Sequence, residues 1–237
     1  MSPSSKIFDI LGRIFVWVFN REPEEFTVLR KIKYFIASGY KGRVPKSHFK
    51  IIKKYVKKGD ICIDVGANRG DYTKAFLKQG AFVVAFEPST MIRTLYEKVG
   101  HKKGVTIFGF ALGRNCESIR LSEFADDGST TATTNKGSHS VIYQHVVPCN
   151  ILDDIRCTPD FIKIDTQGMD YEVLLGAEET LKRCKPIVLA EYEPDLLAER
   201  GYTISDMIKY MSGLGYRFET VKIYDVAGDI LFIPEGK

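Results

Sequence analysis

The stretch that decides the fold is Asp60-Ile-Cys-Ile-Asp-Val-Gly-Ala-Asn-Arg-Gly70, a short apolar run that ends in a glycine-rich turn. The apolar run predicts a buried strand over Ile61 to Val65, and the pattern at 71–79 predicts a helix directly after the turn. A strand that turns tightly into a helix is the first part of a βαβ unit. The sequence therefore predicts an α/β fold with a ligand site at the carboxyl end of this strand.

Further apolar runs alternate with amphipathic segments along the rest of the chain. Two closing runs, 216–221 and 226–233, predict a hairpin that turns at Tyr224-Asp225. This alternation predicts a Rossmann-like, mainly parallel sheet of seven strands that ends in an antiparallel hairpin. The other predicted strands are 81–86, 105–110, 161–164 and 187–190, and the other predicted helices are 89–99, 169–183 and about 203–213.

Bulk composition indicates an ordinary globular protein. With 237 residues, 44% of them hydrophobic, the chain can bury the core of one domain. The net charge of +4 is too small an excess to indicate a nucleic-acid partner. The five cysteines are widely spaced without a C-x-x-C pair, which favours neither a zinc site nor a disulfide framework and is consistent with a cytoplasmic location.

An N-terminal helical extension, residues 1–58, is predicted to precede the main domain at 59–237. Residues 5–20 are largely apolar, but the run is too short and too interrupted to span a bilayer and lacks the features of a signal peptide. We expect a helix that packs on the domain or on a dimer partner. The alternative is peripheral contact with the inner membrane surface, which Trp17 between Arg13 and Arg21 favours. The oligomeric state stays open.

The segment from about 114 to 150 breaks the regular alternation and is interpreted as an insertion that shapes the substrate site. A Ser/Thr-rich loop, Gly128 to Asn135, lies between two predicted short strands. His139 and His145 also lie here, and histidine is a common general base because it titrates near neutral pH. Their spacing is not diagnostic; His145 is retained as a candidate.

The glycine turn lacks the sequence pattern of a nicotinamide-binding site. The G-x-G-x-x-G fingerprint would require glycine at 66, 68 and 71, but the chain has Asn68 and Asp71. An acidic residue two positions before G-x-(G/N)-x-G is present instead, as Asp64. S-adenosylmethionine has no pyrophosphate, and its ammonium and sulfonium groups favour a carboxylate at the strand end. Asp64 is therefore the candidate for organising the loop and the methionyl end.

A second acidic residue stands at the end of the second strand. Phe86-Glu87-Pro88 lies 23 residues beyond Asp64, where a carboxylate can accept hydrogen bonds from both ribose hydroxyls of the cofactor. The predicted cofactor-binding residues from the two strand ends are Asp64, Gly66, Ala67, Asn68, Gly70, Glu87 and Pro88.

With these motifs, the chain resembles the FkbM family of methyltransferases from about Gly59 to Glu191. The resemblance implies the class I methyltransferase fold, S-adenosylmethionine as cofactor, Ala111 and Leu112 near the adenine ring, and O-methylation of hydroxyl groups on sugars, polyketide-like products or glycolipids. The supporting stretches are Ile63 to Gly70, Ala85 to Pro88, Ala111 to Gly113, Phe161 to Gly168, Val173 to Ala177, Pro186 and Glu191.

One stretch departs from the family pattern. Many members carry Val-Glu-Gly-x-Glu after Lys-Ile-Asp, where this chain has Thr166-Gln-Gly-Met-Asp170. The chain thus loses a carboxylate at 167 and has a shorter one at 170. A role of that acidic pair toward a substrate or a metal is therefore not carried over.

Methyl transfer to an alcohol needs in-line approach and a destination for the hydroxyl proton. Asp165, at the carboxyl end of the fourth strand, is predicted to lie nearest the transferring methyl as a base or an orienting acceptor; the alternative is a carboxylate that caps the next helix. Glu191, which ends the fifth strand, is the second candidate, for a substrate hydroxyl. Asp165, Asp170 and Glu191 would offer magnesium oxygen ligands but form no compact triad, and no metal is expected.

Two other functions compete with this prediction. A nucleic-acid methyltransferase would suit the basic segment 31–58, but the Asn/Asp-Pro-Pro-aromatic loop of base methylation is replaced by Asp165-Thr-Gln-Gly168. A non-catalytic scaffold could keep the fold, but it would have no need of intact Asp64 and Glu87. The sequence therefore predicts an O-methyltransferase (EC 2.1.1) for a small-molecule, glycan or lipid-linked hydroxyl, without a nucleic-acid partner.

Overall fold

Two sheets organise the chain in the computed structural model, which describes residues 44–124, 130–131, 141–223 and 227–237. The helices are α1 (Lys46–Tyr55), α2 (Asp71–Lys78), α3 (Ile92–Val99), α4 (Asp170–Leu175), α5 (Glu178–Cys184), α6 (Pro194–Glu199) and α7 (Ile204–Gly213), with a 3₁₀ turn at Leu152–Asp154. The strands are β1 (Ile61–Val65), β2 (Phe82–Phe86), β3 (Val105–Phe108), β4 (Ala111–Leu112), β5 (Glu117–Phe124), β6 (Thr130–Thr131), β7 (Val141–Asn150), β8 (Phe161–Ile164), β9 (Ile187–Tyr192), β10 (Tyr216–Ile223) and β11 (Gly228–Pro234).

The main sheet has the strand order β10-β11-β9-β8-β1-β2-β3. Strands β3, β2, β1, β8 and β9 are parallel, whereas β11 runs antiparallel to both β9 and β10. The predicted seven-stranded, mainly parallel sheet with a closing antiparallel hairpin is confirmed. The chain leaves β1 toward β2 on one side and returns as β8 on the other, so a ligand crevice is expected outside the carboxyl end of β1.

Hydrophobic clusters cover both faces of this sheet. On one face, α1 and α2 contribute Ile52 and Phe76, and the Phe76 ring lies 5.4 Å from the Phe161 ring between their centroids. On the other face, Val173, Leu181 and other side chains from α4, α5 and α7 pack together. A parallel strand covered on both faces is normally apolar throughout, which makes a lysine in the middle of β8 an exception that bears on the site.

Several predicted elements differ from those observed. The predicted helix 169–183 is two helices, separated at Gly176-Ala177, and the predicted helix 89–99 begins only at Ile92. Gly176 packs on the backbone of Gly113, whose carbonyl oxygen would lie 1.9 Å from a Cβ at position 176. This contact between backbones accompanies the break. Helix α6, which starts with proline, was not predicted.

The insertion folds as a second sheet in the order β4-β7-β5-β6. Strands β5 and β7 have eight and ten residues, so they are longer than the short strands predicted. Residues 1–43, most of the Ser/Thr-rich loop, His139 and the turn at Tyr224-Asp225 lie outside the described residues. The predicted domain boundary near residue 59 stays a prediction. Within the described ranges, no helix is long and apolar enough to cross a membrane.

Helix α7 offers a direct test of local stability. Thr203 and Asp206 form a capping box, in which the Thr203 hydroxyl accepts from the Asp206 amide and the Asp206 carboxylate accepts from the Thr203 amide. We expect Thr203→Ala to lower the free energy of unfolding by about 1 kcal/mol, because the helix loses one of its cap acceptors. Urea denaturation measures the change. Ser205→Ala, an exposed position in the same turn, is the control; equal stability of the two variants would contradict the assignment.

Candidate active site at the carboxyl edge of the sheet

The loops that follow β1 and β8 are packed directly on each other. The amide groups of Gly66 and Ala67 donate to the Phe86 carbonyl at 3.0 Å each, and the Asp165 amide donates to the Val65 carbonyl at 3.1 Å. Gly66 has a φ of +74°, and a Cβ there would lie 1.9 Å from the Asp165 carbonyl oxygen. Glycine is therefore required at 66 by the contact between the two loops.

The remainder of the glycine turn leads into α2. Gly70 has a φ of +80°, and an added Cβ would lie 2.6 Å from the Leu95 Cδ1 atom. Asn68, between the two glycines, is also left-handed, with a φ of +48°, a conformation that asparagine tolerates better than most residues. The side chain of Asn68 is exposed, whereas Ala67 is buried. The turn thus presents the polar side chain of Asn68 at the strand edge.

Glu87 lies buried beside this turn. One carboxylate oxygen accepts from the Asn68 amide at 2.6 Å and the other accepts from the Ser89 amide at 2.9 Å. Burial raises the pKa of Glu87, and these hydrogen bonds act in the opposite direction. Each oxygen keeps a further lone pair for a ligand hydroxyl. The arrangement joins the glycine turn to the end of β2 and fits the predicted ribose acceptor.

Asp64 faces the helix rather than the turn. Its side chain is buried, and one oxygen accepts from the Thr73 hydroxyl at 2.5 Å. Burial raises the pKa of Asp64 to about 6, against the effects of the Thr73 hydrogen bond and of Lys163. Asp64 therefore attaches α2 to β1. Any effect of Asp64 on the methionyl part of the cofactor would come through the position of α2.

Ala111 and Leu112 follow the end of β3 on the same side of the sheet as Glu87. The Glu87 amide donates to the Phe108 carbonyl at 3.0 Å, so the end of β3 adjoins Glu87. Ala111 and Leu112 form β4, are both buried, and pair with β7 of the insertion. Pro88 is partly buried in the intervening loop. The predicted adenine-binding residues are thus held between the two sheets.

Asp165 is a partly exposed carboxylate of the site. Its side chain is 36% exposed, and its Oδ2 atom lies 3.4 Å from the Nζ atom of Lys163, which is 1% exposed. Burial works in the opposite direction, but the Lys163 ammonium and hydrogen bonds from Glu191, Lys163 and Gln167 hold the pKa of Asp165 below its ordinary value. At neutral pH Asp165 is therefore ionised and open to a ligand.

Glu191 forms a carboxyl pair with Asp165. Burial, followed by the charge of Asp165 and the hydrogen bond between the two groups, raises the pKa of Glu191 far above its ordinary range. Since two adjacent carboxylates cannot both ionise at low cost, the pair holds one proton, on Glu191. Both predicted catalytic carboxylates are thus brought together.

No described side chain caps the N-terminus of α4, so the capping role considered for Asp165 is not observed, and Asp170 instead holds the loop that precedes this helix. The Thr166 and Gly168 amides donate to the two oxygens of Asp170 at 3.0 and 3.2 Å. Burial raises the pKa of Asp170 to about 6. The shorter carboxylate at 170 thus closes the loop between β8 and α4, and Asp165 is not used for this purpose.

His145 lies apart from the carboxyl pair. Its Nδ1 atom is 3.9 Å from the Oε1 atom of Glu123, which accepts from the Thr90 amide and hydroxyl at 3.0 and 2.7 Å. His145 therefore faces the loop that follows Glu87. In the described part of the chain, no hydrogen bond or ion pair joins His145 to Asp165 or Glu191, and no three His, Cys, Asp or Glu side chains are arranged to hold a metal.

Four polar residues behind the carboxyl pair were not predicted from the sequence. Lys163 and Asp229 carried a signal, because a charged residue is rare within a buried, otherwise apolar strand. His48 and Tyr72 carried none, because each stands in an ordinary amphipathic pattern. Only the sheet order brings these residues together.

Comparison with known proteins identifies the family of this chain. The family model described as the methyltransferase FkbM domain matches residues 64–218. The chain is similar in structure to the methyltransferase FkbM from Methylobacillus flagellatus KT, with 18% identity and a TM-score of 0.55 over 80% of this chain and 48% of that protein. It spans about half the length of that relative. Comparison with curated proteins gives no match.

A second solved structure supports the fold alone. It is the putative rRNA-methylase from Clostridium thermocellum, with 14% identity and a TM-score of 0.51 over 81% of this chain and 99% of that protein. Likeness at this identity says nothing of substrate. Family membership rests instead on the match to the family model. The matched residues make up more than half of the chain and include the glycine turn, Glu87, Asp165 and Glu191. The protein belongs to the FkbM methyltransferase family.

Proposed function

We propose that the protein is an S-adenosylmethionine-dependent O-methyltransferase that acts on a hydroxyl of a sugar, a glycolipid or a secondary metabolite. The observation that carries this proposal is the Asp165–Glu191 pair, which stands next to the glycine turn at the edge where this fold binds ligands. The Asp165 carboxylate can accept a hydrogen bond from an acceptor hydroxyl while the Glu191 carboxylic acid donates to Asp165.

The residues around the turn fit the methyl donor. Glu87 would bind the ribose hydroxyls, the turn from Gly66 to Gly70 would border the methionyl part, and Ala111 and Leu112 would contact the adenine ring. S-adenosylmethionine supplies a methyl group on a sulfonium, which activates the methyl carbon toward an oxygen nucleophile. Membership of a methyltransferase family supports such a donor.

Asp165 would orient the acceptor and receive its proton. The bound donor would supply the methyl group to the acceptor oxygen, and the Asp165 carboxylate would accept the hydroxyl proton. Because the hydroxyl becomes strongly acidic as its oxygen is methylated, a carboxylate with a lowered pKa is basic enough. Glu191 keeps its own proton and hydrogen-bonds Asp165, which fixes the geometry of the pair.

Calorimetric titration with S-adenosylmethionine and S-adenosylhomocysteine tests the cofactor. We expect micromolar affinity, no response to NAD, and at least a tenfold loss of affinity in Glu87→Ala, because charge-assisted hydrogen bonds are among the stronger polar contacts. Asp64→Ala should also weaken binding through the loss of its hydrogen bond to Thr73. Glu97→Ala, which removes an exposed carboxylate on α3, is the matched control and should bind normally.

Failure of the wild-type protein to bind either sulfur ligand, with the fold verified by circular dichroism, would overturn the proposal. A non-catalytic scaffold would then be the better explanation. Equal loss of affinity in Glu87→Ala and Glu97→Ala would retain the cofactor but contradict its placement at Glu87.

Peripheral membrane contact through residues 5–20 is a separate proposal that rests on sequence alone. We expect vesicles with anionic phosphatidylglycerol to sediment the full chain but not a chain without residues 1–22, because the apolar segment with Arg13 and Arg21 would be lost. Phosphatidylcholine vesicles are the control. Binding that survives the deletion, or no binding by either chain, would contradict this contact.

A further inference from the structure

A row of ionisable side chains crosses four adjacent strands on the sheet face that α1 and α2 cover. Asp64 on β1 is the register partner of Lys163 on β8, and Glu191 on β9 is the register partner of Asp229 on β11. Because strand side chains alternate, this row faces the same helices as the residues two positions away on each strand. Those residues share a hydrophobic cluster with residues of α1 and α2, and they are Cys62, Phe161, Leu189 and Leu231.

Two side chains from the helices close over this row. The Nδ1 atom of His48 on α1 is 2.5 Å from the Tyr72 hydroxyl on α2, and its Nε2 atom is 3.1 Å from the Oδ2 atom of Asp229. His48 and Asp229 are 2% and 3% exposed. The tautomer with its proton on Nε2 lets Tyr72 donate to Nδ1 and places the ring N–H beside the carboxylate. Nε2 has no hydrogen-bond partner among the described residues, so its contact with Asp229 at 3.1 Å is electrostatic.

Tyr72 connects this pair to Lys163. The Nζ atom of Lys163 lies 5.1 Å from the centroid of the Tyr72 ring, donates to the Ile164 carbonyl at 2.8 Å, and is 3.4 Å from Asp165. A cation over an aromatic face is attracted by the electron density of the ring. The contacts thus run without interruption from Asp229 through His48, Tyr72 and Lys163 to Asp165.

We propose that His48 and Asp229 are positioning residues for methyl transfer, which act through Tyr72 and Lys163 to hold Asp165 at the strand end. This inference rests on the proposed function, in which Asp165 receives the hydroxyl proton. His48 and Asp229 lie outside residues 64–218, so elements that flank the matched family region supply this support. Buried polar chains of this kind are costly, and an apolar set of similar volume would stabilise the fold at least as well.

The pKa of Asp165 distinguishes a positioning role of His48 and Asp229 from a role in packing alone. If Tyr72 loses its hydrogen bond to His48, its ring no longer holds the Lys163 ammonium in one place, so the stabilisation of the ionised Asp165 weakens and its pKa rises. A network that only attached α1 to the sheet would change stability and leave this titration where it was. The titratable or charged groups that act on Asp165 and Lys163 from the surrounding elements are Asp64, Tyr72, Asp170, Glu191 and Asp229, with His48 behind Tyr72.

The test is a carboxyl carbon-13 NMR titration of the full chain, in which Asp165→Asn assigns the Asp165 signal. We expect the midpoint of Asp165 to rise by about one pH unit in His48→Leu and to rise also in Tyr72→Phe. His48→Asn, whose side-chain oxygen can still accept from Tyr72, should restore much of the wild-type midpoint. Affinity for S-adenosylhomocysteine should stay within about twofold of wild type, because none of these changes touches the glycine turn or Glu87.

Tyr216→Phe is the matched control. It also removes one hydroxyl from a buried tyrosine, which donates to the Leu181 carbonyl at 3.2 Å away from the carboxyl pair, so it should lower stability without moving the Asp165 midpoint. An unchanged midpoint in folded Tyr72→Phe would overturn the inference, even if His48→Leu fails to fold. If the wild-type protein does not bind S-adenosylhomocysteine, the proposed function fails, whereas the midpoint shifts still report separately on the network.

Discussion

The buried ammonium group of Lys163 is the constraint on which the carboxyl edge depends. A single charge in a sheet covered on both faces is unfavourable unless opposite charges surround it. The carboxylates of Asp165, Asp229 and Asp170 and the ring of Tyr72 provide that environment. In return, the ammonium keeps Asp165 ionised while its neighbour Glu191 stays protonated. The chemistry of the site thus follows from one charge placed where an apolar residue would be ordinary.

Backbone packing fixes where this chemistry occurs. The absence of a side chain at Gly66 lets the loop after β1 touch the loop after β8, so the turn that would border the donor and the carboxylate that would meet the acceptor are direct neighbours. Asp170 closes the β8 loop with its own carboxylate, and Glu87 joins the glycine turn to the end of β2. Each acidic residue at this edge therefore has a distinct task.

Much of this arrangement could be predicted from the sequence, because it depends on local pattern. The apolar runs predicted the parallel strands, and Asp165 and Glu191 were recognisable as strand-end carboxylates. The break at Gly176 depends on a contact with Gly113, and the grouping of His48 with Asp229 depends on β11 lying next to β9. Such contacts between distant parts of the chain leave no local pattern.

An amide chemical-shift map of the full chain during titration with S-adenosylhomocysteine tests the placement of the active site most directly. We expect the largest changes at Gly66 to Gly70, Glu87, Ala111, Leu112 and Asp165. A cavity of about 280 Å³ between α1 and β10, lined by Lys50, Lys54 and Glu219 among others, offers a different place for a ligand. Changes centred there, with the glycine turn and Asp165 unaffected, would contradict the placement of the active site.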